Sequence, residues 1–522
     1  MTEIADESLS RAFYQAYKPL RNQLRKLSLE ESLLALWHYS AHLSGDSRLP
    51  ALTHGVDGRG MPLDIAKSVH PWELSLLARE VILHASSPEG PNLLSLSTFA
   101  KAINRVKDLS AFGAENMGMD GLMLQIHRLA HQQFPVQRGV QLVDLMRYRL
   151  IFQHPSVTQL FANGIGLTSE NFFFLGFAVA ASLMARPRFV TNTDFTPFGI
   201  SDDQRDAFFK LLVRTVSALR QMCEEKQRFG PSWAYTTNPL AYAPLVNVEA
   251  EFPHRVYGPV PGMVLRRITS GVYFDLVNLN GFNEAYGPAF DHYIGLVMRK
   301  ALGNLPIWDV RKPTPYRIKN RGELEGSDWI LSDGTATLFI ECKAARPQAK
   351  AIEAETKSDV EQTIGRLAAM IVQNYQNIAH ALAGLTTWRP NLMPVYNLVV
   401  TLEDFIAFGA VVAPPVRAKV LEGLKRKGLP AQLIDEVPYS LVSAHEFEGI
   451  CAVLREFSAS EIFKEKNSGE CSEWLFSTFC TQPRYLEAWG QSRRLHADEF
   501  DAWKARVDEM SGGKFKPAKG RQ

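Results

Sequence analysis

The chain has 522 residues, 46% hydrophobic and 21% charged, a composition that excludes a disordered, collagen-like or disulfide-stapled polypeptide. At about 150 residues per domain this length allows three or four domains and at least two hydrophobic cores. With 57 Lys+Arg against 55 Asp+Glu the formal charge is only +2, so coating of nucleic acid by bulk charge is excluded and a polyanion must be met by a local patch.

The first seventeen residues, MTEIADESLSRAFYQAY, are acidic and lack the basic region and apolar core of a signal peptide. Five cysteines, Cys223, Cys342, Cys451, Cys471 and Cys480, form no Cys-x-x-Cys pair, which argues against a disulfide framework and a zinc ribbon. A cytoplasmic location is expected. The longest uncharged apolar run, Phe172 to Ala185, is shorter than the roughly 20 residues that cross a bilayer. It predicts a buried helix started by Thr168-Ser169-Glu170 and ended at Arg186-Pro187, and no membrane association.

In chain order, residues 1–229 predict an all-α domain with a recognition or regulatory role. Apolar residues recur at spacings near 3 and 4 in Leu29 to Trp37, Trp72 to Ile82, Leu122 to Leu129 and Phe208 to Leu219. Residues 230–279 carry Pro231, Pro239, Pro244, Pro253, Pro259 and Pro261 among Val and Tyr, the texture of a connecting segment with short strands. Residues 280–460 alternate: a helix over 283–302, strands over 328–331 and 336–342, a long helix over 358–384 and a strand over 395–402. A helical extension over 461–510 and a basic, disordered tail over 511–522 follow. The fold class expected is α+β and multidomain, an all-α domain followed by an α/β core.

One stretch carries chemistry. Asp333-Gly334 is a hairpin signal between two β-rich runs, so Asp328 and the segment Thr337 to Lys343 are expected on adjacent antiparallel strands. Alternation turns Leu338, Ile340 and Cys342 to one face and Phe339, Glu341 and Lys343 to the other. Two acids and a lysine then converge at the end of a core strand, where they are costly without a partner such as a metal. Asp328 and Glu341, with the backbone carbonyl of Cys342, suit Mg²⁺, which takes a few carboxylates plus water and substrate oxygens. The metal activates water and neutralises phosphate charge, and Lys343 orients or deprotonates the water or stabilises the transition state. Glu224-Glu-Lys226 and Glu355-Thr-Lys357 repeat the Glu-x-Lys spacing in charged helical settings, where a solvated face explains them.

Asp328 and Glu341-Cys-Lys343, preceded by Phe282-Asn-Glu-Ala-Tyr-Gly-Pro-Ala-Phe-Asp-His-Tyr-Ile-Gly295 and followed by a long helix with Gln373, resemble the PD-(D/E)xK, or restriction-endonuclease-like, nuclease superfamily. The resemblance implies a core of helix, three strands, helix and strand over about 280–405. It also implies a Mg²⁺-dependent endonuclease in which Mn²⁺ substitutes, with DNA favoured over RNA, and is compatible with a homodimer. Ser327 stands where the family usually has proline. By register with the family, Asp291 is the helix acid and a further metal ligand. Glu284 is the competitor, set back because Gly287-Pro288 is expected to start the helix after it. Gln373 lies off the apolar seam Val360, Ile364, Leu367, Ile371, Tyr375, Ile378 and Leu382, and the resemblance makes it a supporting residue beside Lys343, with Gln362 as alternative.

A basic rim of Arg311, Lys312, Arg317, Lys319, Arg321, Arg346 and Lys350 suits a phosphate backbone, whereas Lys425-Arg-Lys427 and the tail lysines suit solvated surface. The layout resembles phage-defence or restriction-like effectors in which the amino-terminal domain senses a phage or host protein. The alternative is a catalytically silent nuclease-like module that binds nucleic acid or protein. His38/His42 and His127/His131 lack the glutamate of a zinc protease, and no glycine-rich loop has a nucleotide-binding frame. Trp233, Tyr235 and Tyr242 are expected to pack their segment against a domain.

Overall fold

The computed structural model describes residues 2–45, 49–50, 53–55, 63–115, 129, 133–318, 322–345, 357–405 and 409–510. Its longer helices are α1 (Thr2–Leu24), α2 (Leu29–Leu43), α3 (Pro71–His84), α4 (Leu96–Glu115), α5 (Leu142–Phe152), α6 (Pro155–Ile165), α7 (Ser169–Ala185), α8 (Asp202–Leu212), α9 (Val216–Lys226), α10 (Phe282–Leu302), α11 (Lys357–Leu382), α12 (Gly409–Lys427), α13 (Ala444–Val453) and α14 (Ala497–Met510). The strands are β1 (Arg188–Val190), β2 (Val213–Thr215), β3 (Leu245–Asn247), β4 (Arg255–Tyr257), β5 (Asp309–Arg311), β6 (Tyr316–Ile318), β7 (Gly322–Leu324), β8 (Trp329–Ser332), β9 (Thr337–Lys343), β10 (Val395–Thr401) and β11 (Tyr439–Ser443). The protein is a mixed α and β structure, mainly helical, with small mixed sheets.

The amino-terminal region departs from the all-α expectation. β1 and β2 lie within it and join β4 and β3 in a four-stranded sheet of order β1-β4-β3-β2. Three-residue strands are too short to show a period of two. The apolar run Phe208 to Leu219 reads as one helix but is two, α8 and α9, separated by β2. The pattern Leu122 to Leu129 lies almost wholly outside the described residues. α7 has the predicted bounds: the Thr168 hydroxyl accepts from Asn171 N at 3.2 Å, and Arg186-Pro187 ends it. No single helix among the described residues is long and apolar enough to cross a membrane, and no cysteine is in a disulfide.

Three apolar clusters organise the described residues. One gathers α1 to α4 with Leu219, Trp233 and Tyr257. A second joins α5 to α8 to α10, α13 and one face of the larger sheet, through Trp329, Leu338, Ile340 and Leu398. A third packs α11 and α12 on the opposite face, through Ile330, Phe339 and Val399. The predicted alternation along Leu338 to Ile340 is therefore observed. The seam of α11 is buried from Val360 to Ile378, but Leu382 at the helix end is exposed. Trp233 is fully buried, as expected for a residue that packs its segment down, while Tyr242 is exposed.

The larger sheet has the order β11-β10-β9-β8-β5. β5, β8 and β9 are antiparallel neighbours, whereas β9, β10 and β11 run parallel. A crossover helix is the usual link between parallel strands, and α11 between β9 and β10 and α12 between β10 and β11 fill that role. A hairpin of β6 and β7 is inserted between β5 and β8.

Candidate active site

The site grows out of the β8–β9 hairpin. Gly334 takes φ +78°, which a turn of this kind requires. Asp333 Oδ1 accepts from the backbone N of Thr335 at 2.9 Å, and its Oδ2 accepts from Ala459 N at 2.8 Å, tying the tip to the helix Ala459–Lys466. Trp329 faces Ile340 in the antiparallel register, so Asp328, one residue earlier, meets the end of β9 at Glu341. Asp328 Oδ2 accepts from Cys342 N at 2.6 Å. In a regular strand the N–H and C=O of one residue point the same way, which turns the Cys342 carbonyl toward Asp328 as well.

Glu341 is 2% exposed. Its Oε1 receives both Lys343 Nζ at 2.7 Å and Gln373 Nε2 at 2.8 Å, while its buried Oε2 has no hydrogen-bond partner. Two donors on one oxygen and none on the other leave the carboxylate half satisfied. An unsatisfied buried acceptor costs about 1–3 kcal/mol. Burial, then the Glu341 charge, push the Asp328 carboxyl up to about 7. Asp291 adds to that rise, and the Cys342 N–H and Lys343 oppose it. Burial likewise raises Glu341 against the pull of Lys343. Acids forced toward neutrality in this way favour a cation between them.

Asp291 is supplied by α10. Pro288 does not start this helix; it lies inside it, and Glu284 sits exposed in the first turn. Burial of Phe282, Tyr286 and Ala289 on one side carries the helix through despite the missing N–H. α10 approaches β8 closely at Gly295, where a Cβ would lie 2.2 Å from the Trp329 ring. The Trp329 indole N–H then donates to Asp291 Oδ1 at 2.5 Å, and Lys312 Nζ pairs with Asp291 Oδ2. Both Asp291 oxygens are thus engaged. Asp291 contributes charge to the site, and direct ligation of a metal would require it to release Lys312.

The donor set fits a hard divalent cation. Asp328, Glu341 and the Cys342 carbonyl supply oxygen, and Glu341 Oε2 awaits a partner. Among the described residues no group of three or more His, Cys, Asp or Glu side chains that could hold a metal ion is found, so Asp291 is not gathered with Asp328 and Glu341 as a third ligand. An open site of two carboxylates is what Mg²⁺ uses, because it keeps several waters.

Other predicted residues fall differently. Gln362 is exposed near the start of α11, and it is Gln373 that donates to Glu341. Arg311 pairs with Asp309 at 2.5 Å, Lys312 is taken by Asp291, and Arg317 is exposed on the β6–β7 hairpin. Lys319, Arg321, Arg346, Lys350, Glu355 and residues 511–522 lie outside the described residues, as do His127 and His131. Lys425, Arg426 and Lys427 end α12 as exposed surface.

Sequence reasoning missed a buried polar network beneath the acids. Asn374, fully buried, donates to Phe339 O at 2.9 Å and to Asn397 Oδ1 at 2.7 Å, and accepts from Ser327 Oγ at 2.5 Å. It clamps α11 to β9 and β10 and fixes the residue before Asp328. A signal was present: Asn374 follows Ile371 by three and Leu367 by seven, so it sits on the apolar seam, where an amide needs partners.

The chain matches no family model, no curated protein and no solved structure.

Proposed function

We propose that the protein is a metal-dependent nuclease that hydrolyses phosphodiester bonds of nucleic acid, with DNA favoured. The observation that carries this reading is Glu341: a buried carboxylate with Lys343 and Gln373 on one oxygen, the other oxygen bare, beside a second acid pushed up to about 7. The order α10, β5, β8, β9, α11, β10 also has the helix, three strands, helix and strand expected of a restriction-endonuclease-like core, with β6 and β7 inserted.

In this mechanism Asp328, Glu341 and the Cys342 carbonyl hold Mg²⁺, for which Mn²⁺ substitutes. When bound, the ion supplies Lewis-acid activation of water and neutralises charge on the phosphate. Lys343, whose side chain is 27% exposed, reaches solvent at the end of β9 and carries a proton or a positive charge to the attacking water and the phosphate. Gln373 fixes the Glu341 rotamer through its amide. Asp291 adds negative charge and, through Trp329, holds the helix against the strand. Service of the amino-terminal helices as a recognition or regulatory element in phage defence belongs to the same proposal, as does a cytoplasmic setting.

The test is cleavage of plasmid, linear DNA and RNA with Mg²⁺ or Mn²⁺. We expect Glu341→Ala and Lys343→Ala each to reduce cleavage by about a thousandfold or more, as loss of a metal ligand or transition-state charge does. Cleavage that survives both substitutions overturns the assignment. Phage plating on cells carrying wild type or Glu341→Ala tests the defence role.

A further inference from the structure

A second space of about 250 Å³ lies where the amino-terminal helices, the segment 230–279 and the chain just past the carboxyl ends of β10 and β11 meet. None of Asp328, Glu341 or Lys343 lines it. Trp72, Tyr148, Tyr235, Tyr242 and Phe274 give it an aromatic wall. Two lining side chains carry buried polar atoms without a partner: the Thr236 hydroxyl and His445 Nδ1. The Thr236 carbonyl accepts from Arg79 at 2.9 Å, which holds the backbone in place while the hydroxyl stays bare. Burial, reinforced by Arg138 and Arg147, pushes His445 down to about 4, so at physiological pH its ring is neutral and offers one N–H and one lone pair.

The charged groups of the wall balance, Arg138, Arg147 and Arg266 against Asp144, Glu403 and Asp404. Arg147 and Arg138 meet Asp144 at 2.9 and 3.4 Å, Arg138 reaches Asp404 at 3.9 Å, and Glu403 accepts from Tyr148 at 2.7 Å. A strongly ionic ligand would have to disrupt these pairs, and a purely apolar one would leave Thr236 and His445 unsatisfied. An uncharged planar heterocycle with donors and acceptors on its edge meets both requirements, with its faces against the aromatic wall. At about 250 Å³ the cavity is smaller than the roughly 300–1,000 Å³ of drug-sized pockets, which limits its ligand to nucleoside size and excludes a dinucleotide.

We propose that this cavity binds a nucleobase, as a nucleoside-sized ligand site separate from the candidate active site. The base comes either from a free nucleoside or from a nucleic-acid strand.

Calorimetry on the full chain with adenosine, guanosine, cytidine, uridine, ribose 5-phosphate and a short single-stranded oligonucleotide tests it, without reference to cleavage. The expected result is saturable binding of at least one nucleoside, weakened about tenfold or more by Thr236→Val and by Tyr242→Ala, the cost of one lost hydrogen bond or aromatic contact. Neither variant is expected to lower the melting temperature, since one is isosteric and the other alters an exposed ring. Oligonucleotide binding without free-nucleoside binding, lost in the same variants, supports a base delivered by a strand. No saturable binding, binding that ribose 5-phosphate reproduces, or an affinity unchanged in both variants overturns the proposal.

Discussion

Helix α10 carries two buried polar clusters that differ in one respect. Asp291 and Tyr293 lie about 200° apart around it. On the Tyr293 side, Arg147 grips Glu448 with two hydrogen bonds of 2.6 and 2.7 Å and meets Asp144 at 2.9 Å, while Tyr293 donates to Glu448 at 2.6 Å. Burial would push Asp144 up, but Arg147 and Arg138 outweigh it and hold the acid below its usual range. Burial would also lower Arg147, but Glu448 and Asp144 hold it well above its ordinary value. On the Asp291 side the acids Asp291, Asp328 and Glu341 face only two cations, Lys312 and Lys343, Asp328 and Glu341 are raised, and Glu341 Oε2 is bare. In one cluster Arg147, Glu448 and Tyr293 satisfy one another within the chain and serve the fold. The other leaves Glu341 Oε2 without a partner, the position where the proposed cation would bind.

Breaking the complete cluster has the largest expected effect on stability. Glu448→Ala leaves the buried Arg147 with Asp144 alone and removes its two-pronged partner, and is expected to cost about 3–5 kcal/mol, read from denaturant unfolding. A loss below about 1 kcal/mol would mean the cluster is not what holds α5, α10 and α13 together.

The incomplete cluster predicts the opposite sign. Asp328 is raised from 3.8 to about 7 in the folded chain, so the stability it contributes is fully present below the unfolded value and lost as pH rises through 7. Asp328→Asn, permanently neutral and still able to accept from Cys342 N, is expected to stabilise the protein at pH 8 with chelator by on the order of 2 kcal/mol. The gain should fade toward pH 4. Thermal unfolding across that range checks it, and a destabilised variant at pH 8 would show the acid to be satisfied after all.

Gly295→Ala sharpens the comparison at the contact between helix and strand. A Cβ there must displace Trp329, and overpacking of this kind costs about 1–3 kcal/mol. Trp329 fluorescence should shift as its bond to Asp291 is lost, and an unchanged spectrum would show that the ring is not held by that contact. The smallest stability effect is expected for Gln373→Ala, an exposed residue, within about 0.5 kcal/mol. Its loss from Glu341 should still weaken Mn²⁺ binding about tenfold, as loss of an outer-shell partner does, measured by calorimetry.

α10, β8, β9, α11 and β10 stand within a few residues of their expected bounds because their periodicities are long and Asp333-Gly334 marks the turn. Strand alternation then suffices to bring Asp328, Glu341 and Lys343 together, and Gln373 follows from its place on α11. The other cluster was invisible: Arg147 and Glu448 are 301 residues apart, and no local pattern links them. β1 and β2 are too short for a period, and their partners β4 and β3 lie in a different segment. Gly287-Pro288 reads as a helix start by the local rule, but burial of Phe282, Tyr286 and Ala289 carries the helix through it.

The central claim is that the unmatched acids hold a divalent cation, and crystals of the full chain soaked in Mn²⁺ test it most directly. An anomalous peak in contact with Asp328 and Glu341, absent in Glu341→Gln, is the predicted result. Crystals that diffract well, with no manganese at these two carboxylates, would contradict the account.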